Sequence, residues 1–181
     1  MIWKIDPTHS HVSFAVRVLS VSTTRGRFHT LRGHLQIDEQ NPANSWVDAE
    51  VEAASIDTRN KLRDAHLRSA FFAVKQYPTI TFQSTHVEHA GGQDYQVTGK
   101  LTMQGVTRPI TFDVAYRGQS TLMGVRAGLR ASAQINRTDF GVGRGAAVQL
   151  VASPMVTIEI ELEAVQQAVE VKEAAVIATA Q

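Results

Sequence analysis

Apolar and polar residues alternate with a period of two over most of this chain. In residues 10–18, for example, Val12, Phe14 and Val16 alternate with polar neighbours. This period is typical of a strand that buries one face and exposes the other. The same pattern predicts eight strands, at residues 10–18, 27–38, 46–54, 79–87, 94–103, 107–116, 122–135 and 155–164.

Eight antiparallel strands of this length allow two architectures. They can close into a barrel that holds one small ligand and has no exposed sheet edge, but a sandwich fits the periodicity nearly as well. Alanines line the inward face of the strand at 122–135, where a filled core would carry larger aliphatic residues. This pattern favours an internal cavity, although phenylalanines such as Phe14, Phe82 and Phe112 could fill the space instead.

Residues 58–74 have helical rather than alternating spacing. The pattern predicts one short helix with Asp57 or Thr58 as its N-cap, followed by a turn at Pro78. In a barrel, such a helix would cover one mouth. Residues 141–145 are rich in glycine and are expected to form a mobile rim with no helix after them, and Gly33 is expected to mark a bulge.

Length and composition indicate one globular domain, residues 1–164. A C-terminal tail, residues 165–181, is expected to be a frayed helix or disordered. Hydrophobic residues make up 43% of the 181 residues and charged residues 19%, which is typical of a globular protein. The net charge of +1 gives no sign of the basic field that nucleic acid requires.

The chain has no cysteine, so disulfides and thiolate chemistry are excluded. No apolar run reaches the ~18 residues that indicate a membrane span. No apolar leader follows Met1, which predicts a cytoplasmic protein, or a periplasmic one if the chain is a processed form.

Candidate catalytic groups are sparse. His9 and His11 share a face of the predicted strand, a spacing that can chelate a metal, but the sequence places no carboxylate beside them. Ser10 neighbours His9, yet adjacent strand residues point to opposite faces. Asp64 and His66 lack the spacing that brings helical side chains together. The sequence therefore predicts no catalytic residue, metal or cofactor.

Two pairs of charged residues have a structural interpretation. Arg63 and Asp64 are expected to tie the helix to nearby strands or loops. Arg137 and Asp139 are expected to clamp a strand end.

A series of short motifs runs through nearly the whole chain, and their order and spacing together are specific. They are WKIDPTHS at 3–10, RGRF at 25–28, SIDT at 55–58, RDAHL at 63–67, FF at 71–72, YPTITFQST at 77–85, GKLTMQGVTRP at 99–109 and RTDFG at 137–141. The chain resembles the YceI family of lipocalin-like, polyisoprenoid-binding proteins in these motifs. It departs from the family at Val18, where a histidine is common, and at residues 152–155, where an acidic turn is common.

The resemblance implies an all-β fold: an eight-stranded antiparallel lipocalin-like barrel, with one short helix between strands covering a mouth. It also implies a non-enzymatic protein that carries or sequesters a polyprenyl quinone or polyprenyl phosphate in an internal tunnel, and it allows a homodimer. The alternatives are an enzyme acting on a lipid-like substrate through His9, Asp64 or His66, and a stress or interaction module with a filled core.

The resemblance and the alternation together predict the ligand site. Scattered arginines are candidates to meet a polar head group at the mouth, namely Arg25, Arg27, Arg63 and Arg68. The expected tunnel lining is apolar and consists of Phe14, Val16, Val18, Phe28, Leu35, Val47, Val51, Phe72, Ile80, Phe82, Leu101, Ile110, Phe112, Leu129, Ala131, Phe140 and Ile158.

Overall fold

A computed structural model of the protein describes residues 1–168. Most of these residues belong to strands, which are β1 (Ile2–Ile5), β2 (His11–Val18), β3 (Ser22–Phe28), β4 (Leu31–Gln36), β5 (Trp46–Glu52), β6 (Ile56–Asp57), β7 (Thr79–Gly91), β8 (Asp94–Met103), β9 (Val106–Ser120), β10 (Arg126–Asn136) and β11 (Ala152–Gln166). The helices are α1 (Lys61–His66), continued by a π-helical turn (Leu67–Phe71), and α2 (Ala146–Val151). Short 3₁₀ turns lie at Pro42–Asn44, Ala53–Ser55 and Arg137–Phe140.

The strands form one closed antiparallel sheet. Its order is β1-β4-β5-β7-β8-β9-β10-β11-β2-β3-β6, and β1 also pairs with β11. The long strand β11 pairs with β2 along one part of its length and with β1 along another, so β1 and β2 act as two halves of one barrel strand. The pairs β3/β4 and β5/β6 are related in the same way. The predicted eight-stranded antiparallel barrel is therefore confirmed, and the sandwich is excluded.

The two ends of the barrel differ in their connections. The upper end carries the β2–β3 turn, α1 with its π-helical turn, the β8–β9 turn, and α2. The lower end carries the β4–β5 loop and the β7–β8 and β9–β10 turns. Both helices thus lie at the upper end.

The predicted helix is present but shorter than residues 58–74. Its N-cap is Asn60, whose side chain accepts a hydrogen bond from the Arg63 backbone N–H at 3.0 Å. Thr58 instead donates from its backbone N–H and its hydroxyl to the buried Asp64 carboxylate, at 2.9 and 2.5 Å. Arg63 donates to the hydroxyl and carbonyl oxygens of Thr58, both at 2.8 Å. Arg63 and Asp64 therefore tie the helix to the end of β6, as predicted.

Two local predictions were wrong. Residues 146–151 form helix α2, where the sequence analysis expected no helix after the glycine-rich stretch. Gly33 marks no bulge, since β4 and β5 pair in regular register around it. Its φ is +149°, and an added Cβ would lie 2.1 Å from the Asp48 carbonyl oxygen, so glycine permits a close approach of two backbones.

Strand boundaries differ at both ends of the chain. The predicted strand at 27–38 misses most of β3, and the alternation gave no strand for β1. Strand β11 continues to Gln166, so the first residues of the predicted tail belong to the barrel. Residues 169–181 of that tail lie outside the described residues.

Candidate functional site

The barrel interior contains two apolar cavities, one toward each end. The upper cavity has a volume of about 270 Å³ and the lower cavity about 120 Å³. No residue lines both of them. The single tunnel expected from the sequence is therefore divided in two.

The upper cavity lies beneath the two helices. Strands β2 and β11 form one wall, and the roof is formed by Leu67, Phe71 and Phe72 on one side and by Val148 and Val151 of α2 on the other. The predicted lining residues found here are Phe14, Val16, Val18, Phe28, Phe72 and Ile158.

An aromatic row crosses the upper cavity. The ring of Phe28 lies 5.6 Å from that of Phe14 and 5.6 Å from that of Phe72, centroid to centroid. Such rings present a large rigid apolar surface to whatever occupies the space between them. The side chains with polar groups at this cavity are Thr24, Thr58, Arg63 and Arg137.

The lower cavity lies between β4, β5 and strands β7 to β11. Phe82 and Phe112 meet edge to face here, with their centroids 5.1 Å apart. The predicted lining residues found here are Leu35, Val47, Phe82, Phe112, Leu129 and Ala131.

A packed layer of side chains, the middle layer, separates the cavities. On β10, for example, Ala131 lines the lower cavity and Ile135 the upper one, and Ala133 between them lines neither. Leu101 has the same position on β8, between Val97 below and Met103 above. We define the middle layer as Val12, Leu31, Val51, Ile80, Leu101, Ile110 and Ala133.

Five residues of the predicted tunnel lining therefore face no cavity. Val51, Ile80, Leu101 and Ile110 belong to the middle layer, and Phe140, the last residue of the 3₁₀ turn that follows β10, is fully buried in the core. Alternation correctly placed the four strand residues on the inward face, but it does not indicate which levels of the interior are packed and which are open.

Of the four head-group candidates, only Arg63 lines the upper cavity. Arg68 donates to the carbonyl oxygens of Ala54 and Ile56, at 2.9 and 3.1 Å, and so anchors the helical segment to the strand region below it. Arg25 and Arg27 are exposed and face outward. They line a separate groove of about 550 Å³ on the outer wall, together with Ser13, His29, Arg59, Thr157 and Glu159 among others.

Arg137 clamps the connection that forms part of the roof. Its buried guanidinium donates to the carbonyl oxygens of Val142, Gly143, Ala152 and Ser153, at 2.7–3.0 Å. Burial lowers the pKa of this arginine from its ordinary value. The expected clamp is present for Arg137, whereas Asp139 is exposed and does not contribute to these bonds.

A polar cluster at the junction of β1, β10 and β11 was not anticipated. Asp6 lies 2.9 Å from His9 Nδ1 and 3.0 Å from Arg126, and Arg126 also contacts Glu163. Asp6, His9 and Glu163 are close enough together to offer metal ligands. The Arg126 guanidinium already bridges the two carboxylates, so the arrangement is that of an ion-pair network.

The cluster changes how His9 is interpreted. His9 lies in the turn before β2 and pairs with Asp6 rather than with His11. The hydrogen bond with His9, aided by those from the Thr8 amide and Arg126, lowers the pKa of the Asp6 carboxyl well below its ordinary value. The D-x-x-H spacing was the one available sequence signal for this contact, because Arg126 and Glu163 are distant in the chain.

The residues named for a lipid-directed enzyme lie in separate elements. His9 is in the β1–β2 turn, Asp64 is engaged with Thr58, and His66 packs its ring against that of Phe71 at 5.5 Å. The described structure therefore assembles no nucleophile and base from these three side chains. Among residues 1–168, no helix has both the length and the apolar character needed to cross a bilayer.

Comparison with known proteins agrees with this architecture. The YceI-like domain matches residues 3–164. A UPF0312 protein of Enterobacter sp. (strain 638) is 38% identical over 170 residues, covering 91% of this chain and 86% of the relative. The crystal structure of Burkholderia cenocepacia BcnA matches with a TM-score of 0.81 and 26% identity, covering 88% of this chain and 98% of that one.

A third match shows the fold alone. A domain from Saccharophagus degradans, described as polyisoprenoid-binding and implicated in plant cell wall breakdown, matches with a TM-score of 0.73 and 17% identity. It covers 91% of this chain and 98% of that one. The closed barrel, the ordered motifs and the family match over residues 3–164 together show that this chain belongs to the YceI family.

Proposed function

We propose that the protein binds a long apolar isoprenoid, a polyprenyl quinone or a polyprenyl phosphate, with its chain in the upper cavity. The observation that carries this proposal is the apolar wall of a cavity of about 270 Å³ beneath two helices. This volume lies just below the ~300–1,000 Å³ that is typical of ligand-binding sites. Moving an isoprenoid chain from water into such a space gains about 25 cal/mol per Å² of apolar surface.

The ligand class has further support. The Saccharophagus degradans domain of the same fold is described as polyisoprenoid-binding. An apolar wall with few polar groups selects by shape and permits a range of tail lengths, as expected for a protein that binds a repeating chain. Arg63, at the edge of this wall, is the candidate to meet a quinone or phosphate head group.

We further propose that the protein carries or sequesters the lipid and does not transform it. The side chains named for an enzyme are engaged in separate structural contacts, at His9 with Asp6 and at Asp64 with Thr58. Binding an isoprenoid by burying its apolar chain requires no cofactor.

The test measures lipid uptake directly. The purified protein is incubated with a polyprenyl quinone in detergent, separated from free lipid and extracted with organic solvent for mass spectrometry. Val148→Trp fills the upper cavity from helix α2 without altering the barrel wall, and it should reduce uptake at least tenfold. Ala147→Trp places the same side chain on the exposed side of that helix and should leave uptake unchanged.

Two results would contradict the proposal. Absence of uptake by the wild-type protein would rule out isoprenoid binding under these conditions. Equal uptake by the wild type and Val148→Trp, with both folded by circular dichroism, would place the ligand somewhere other than the upper cavity.

A further inference from the structure

Large apolar side chains are exposed in several connections at the upper end of the barrel. Leu19 and Val21 in the β2–β3 turn, Leu62 on α1 and Leu150 on α2 are between 62% and 86% exposed. A backbone hydrogen bond of 2.8 Å from Leu19 N–H to the Val151 carbonyl oxygen holds the turn beside α2. The turn and α2 therefore present one apolar surface.

This surface is continuous with the upper cavity. Val151 is 43% exposed and also lines the cavity, and Val148 of the same helix lines it as well. On the other side of the hydrogen bond, Val18 lines the cavity directly before the exposed Leu19. An apolar chain could thus pass from the outside to the inside of the barrel along a path of apolar side chains.

Most of the charged side chains in the connections at the upper end are basic. Its two acidic side chains within the helical connections are Asp64, which is buried against Thr58, and Asp139. The β4–β5 loop at the lower end, in contrast, carries Asp38 and Glu39. The basic side chains of the upper connections are Lys61, Arg63, Arg68, Lys75, Arg137 and Arg144, whereas Arg59 lines the outer-wall groove with Asp57 and Glu159.

These basic groups have no carboxylate partner within residues 1–168. The arginine–carboxylate pairs of that part of the chain involve Arg32, Arg126 and Arg130, all on barrel strands. The exposed Lys61, Lys75 and Arg144 are therefore available to an external anionic surface. The net charge of +1 conceals this separation of charge between the ends.

We propose that the upper end of the barrel docks on an anionic lipid bilayer. Its exposed leucine and valine side chains enter the headgroup region, and the exposed Lys61, Lys75 and Arg144 face the lipid phosphates, a combination typical of interfacial membrane binding. This proposal rests on the proposed function, because a protein that holds a lipid chain must exchange it with a membrane. Docking in this orientation places the entrance of the upper cavity against the bilayer.

The test is co-sedimentation with vesicles that contain no isoprenoid. Vesicles of phosphatidylcholine and phosphatidylglycerol in equal parts are compared with vesicles of phosphatidylcholine alone. The wild-type protein should bind the anionic vesicles, and added salt should weaken this binding. The double variants Val21→Ser/Leu150→Ser and Lys61→Glu/Lys75→Glu should each bind them about tenfold more weakly or worse.

Two control variants carry the same kinds of substitution at exposed residues outside the upper connections. Leu122→Ser/Met123→Ser alters two exposed apolar residues in the β9–β10 connection at the lower end, and Lys4→Glu/Lys100→Glu reverses two exposed charges on the wall. Both controls should bind vesicles as the wild type does. Wild-type binding by the upper-end variants, or loss of binding in the controls alone, would overturn the proposal.

Two further measurements separate this proposal from others. If the wild type ignores vesicles and sediments as a dimer that Val21→Ser/Leu150→Ser converts to a monomer, the surface joins two copies and the docking proposal is wrong. Uptake of polyprenyl quinone from detergent, measured on the same variants, tests the proposed function separately. Lost vesicle binding with intact uptake supports docking, whereas absent uptake in the wild type contradicts the isoprenoid function alone.

Discussion

The ring of Phe14 occupies the space where Gly26, its cross-strand partner, lacks a side chain. A Cβ added at residue 26 would lie 2.4 Å from Phe14 Cζ. At the lower cavity, a Cβ added at Gly99 would lie 2.5 Å from Cζ of Phe82 on the neighbouring strand and 2.4 Å from the Gln83 carbonyl oxygen. Each cavity thus has an aromatic wall that depends on a glycine in the neighbouring strand.

We predict that Gly26→Ala destabilises the barrel by about 1–3 kcal/mol, as expected for overpacking. Urea unfolding measures this change. Gly128→Ala is the control, because its added Cβ would be 3.4 Å from Arg117 Cβ, an ordinary contact. Combining Gly26→Ala with Phe14→Leu should cost less than the sum of the two changes. Equal effects of Gly26→Ala and Gly128→Ala would contradict the steric explanation.

The middle layer should limit the length of isoprenoid that the barrel accepts. We predict that Leu101→Ala opens a passage between the cavities, so that longer polyprenyl chains gain affinity relative to short ones. The change should also lower the free energy of unfolding by about 2–5 kcal/mol. Competition between prenyl quinones of different chain length, followed by mass spectrometry, measures the preference.

Two controls locate this effect. Val97→Ala removes a buried side chain from the same strand but opens only the lower cavity, so it should leave the preference unchanged. Adding Ala131→Trp to Leu101→Ala fills the lower cavity and should abolish the gain for long chains. A gain that survives Ala131→Trp would mean that long chains take another path.

Arg63 should distinguish charged from neutral head groups. We predict that Arg63→Gln weakens binding of a polyprenyl phosphate by about tenfold, since a bond to a charged group contributes roughly 1.5–3 kcal/mol. It should leave binding of the neutral polyprenol unchanged. Arg63→Lys should restore part of the phosphate affinity. An equal loss for both lipids would indicate that Arg63 acts through its bonds to Thr58.

Arg137 should stabilise the roof of the upper cavity. We predict that Arg137→Lys, which leaves several of the four acceptor carbonyls without a donor, lowers the free energy of unfolding by about 2–4 kcal/mol. Hydrogen exchange should accelerate most in residues 141–153. Arg144→Lys is the control, because Arg144 is exposed and donates one bond of 3.3 Å, to Thr138. Unchanged exchange in Arg137→Lys would contradict the clamp.

The cluster around Asp6 should make stability depend on pH. Because the pKa of folded Asp6 lies below its unfolded value of about 3.9, its contribution is complete above that value and is lost as the pH falls. We predict that Asp6→Asn is less stable than the wild type at pH 7 and loses less stability between about pH 6 and pH 2.

Urea unfolding at several pH values measures this difference. Asp48→Asn is the control, because Asp48 is exposed and its carboxylate makes no ion pair within residues 1–168. It should retain the wild-type pH dependence. A parallel loss of stability in the wild type and Asp6→Asn would contradict the prediction.

Much of the barrel could be predicted from alternation, because a period of two fixes which side chains point inward. It turned Leu101 and Ile158 inward correctly. It could not predict that Leu101 packs against its neighbours while Ile158 faces a cavity. That difference depends on the register between strands, which sets which inward side chains lie at the same level of the barrel. The division of the interior is thus a tertiary property.

The missed elements have local physical reasons. Most of β3 was missed because its inward positions carry Thr24 and Gly26 where alternation requires large apolar side chains. Helix α2 was missed because it is only six residues long and directly follows a glycine-rich stretch, which is typical of a loop. The contact of Arg126 with Glu163 required β10 and β11 to be paired, and no local spacing signals such a pair.

The pairing of Trp3 with Gln166 closes the barrel by joining its first and last strands. When β1/β2, β3/β4 and β5/β6 are each counted as one barrel strand, the first strand pairs with β11 through both of its halves. The other barrel strands of residues 1–168 pair with the next strand along the chain, so this seam joins the two distant ends of the barrel sequence. The hydrogen-bonded strands therefore form a closed ring, in which the first and last strands are neighbours without a covalent connection between them. A permuted chain that links β11 to β1 and starts anew at the exposed Leu122–Met123 turn would preserve every strand pair, and its folding would reveal whether closing the seam limits the rate at which the barrel forms.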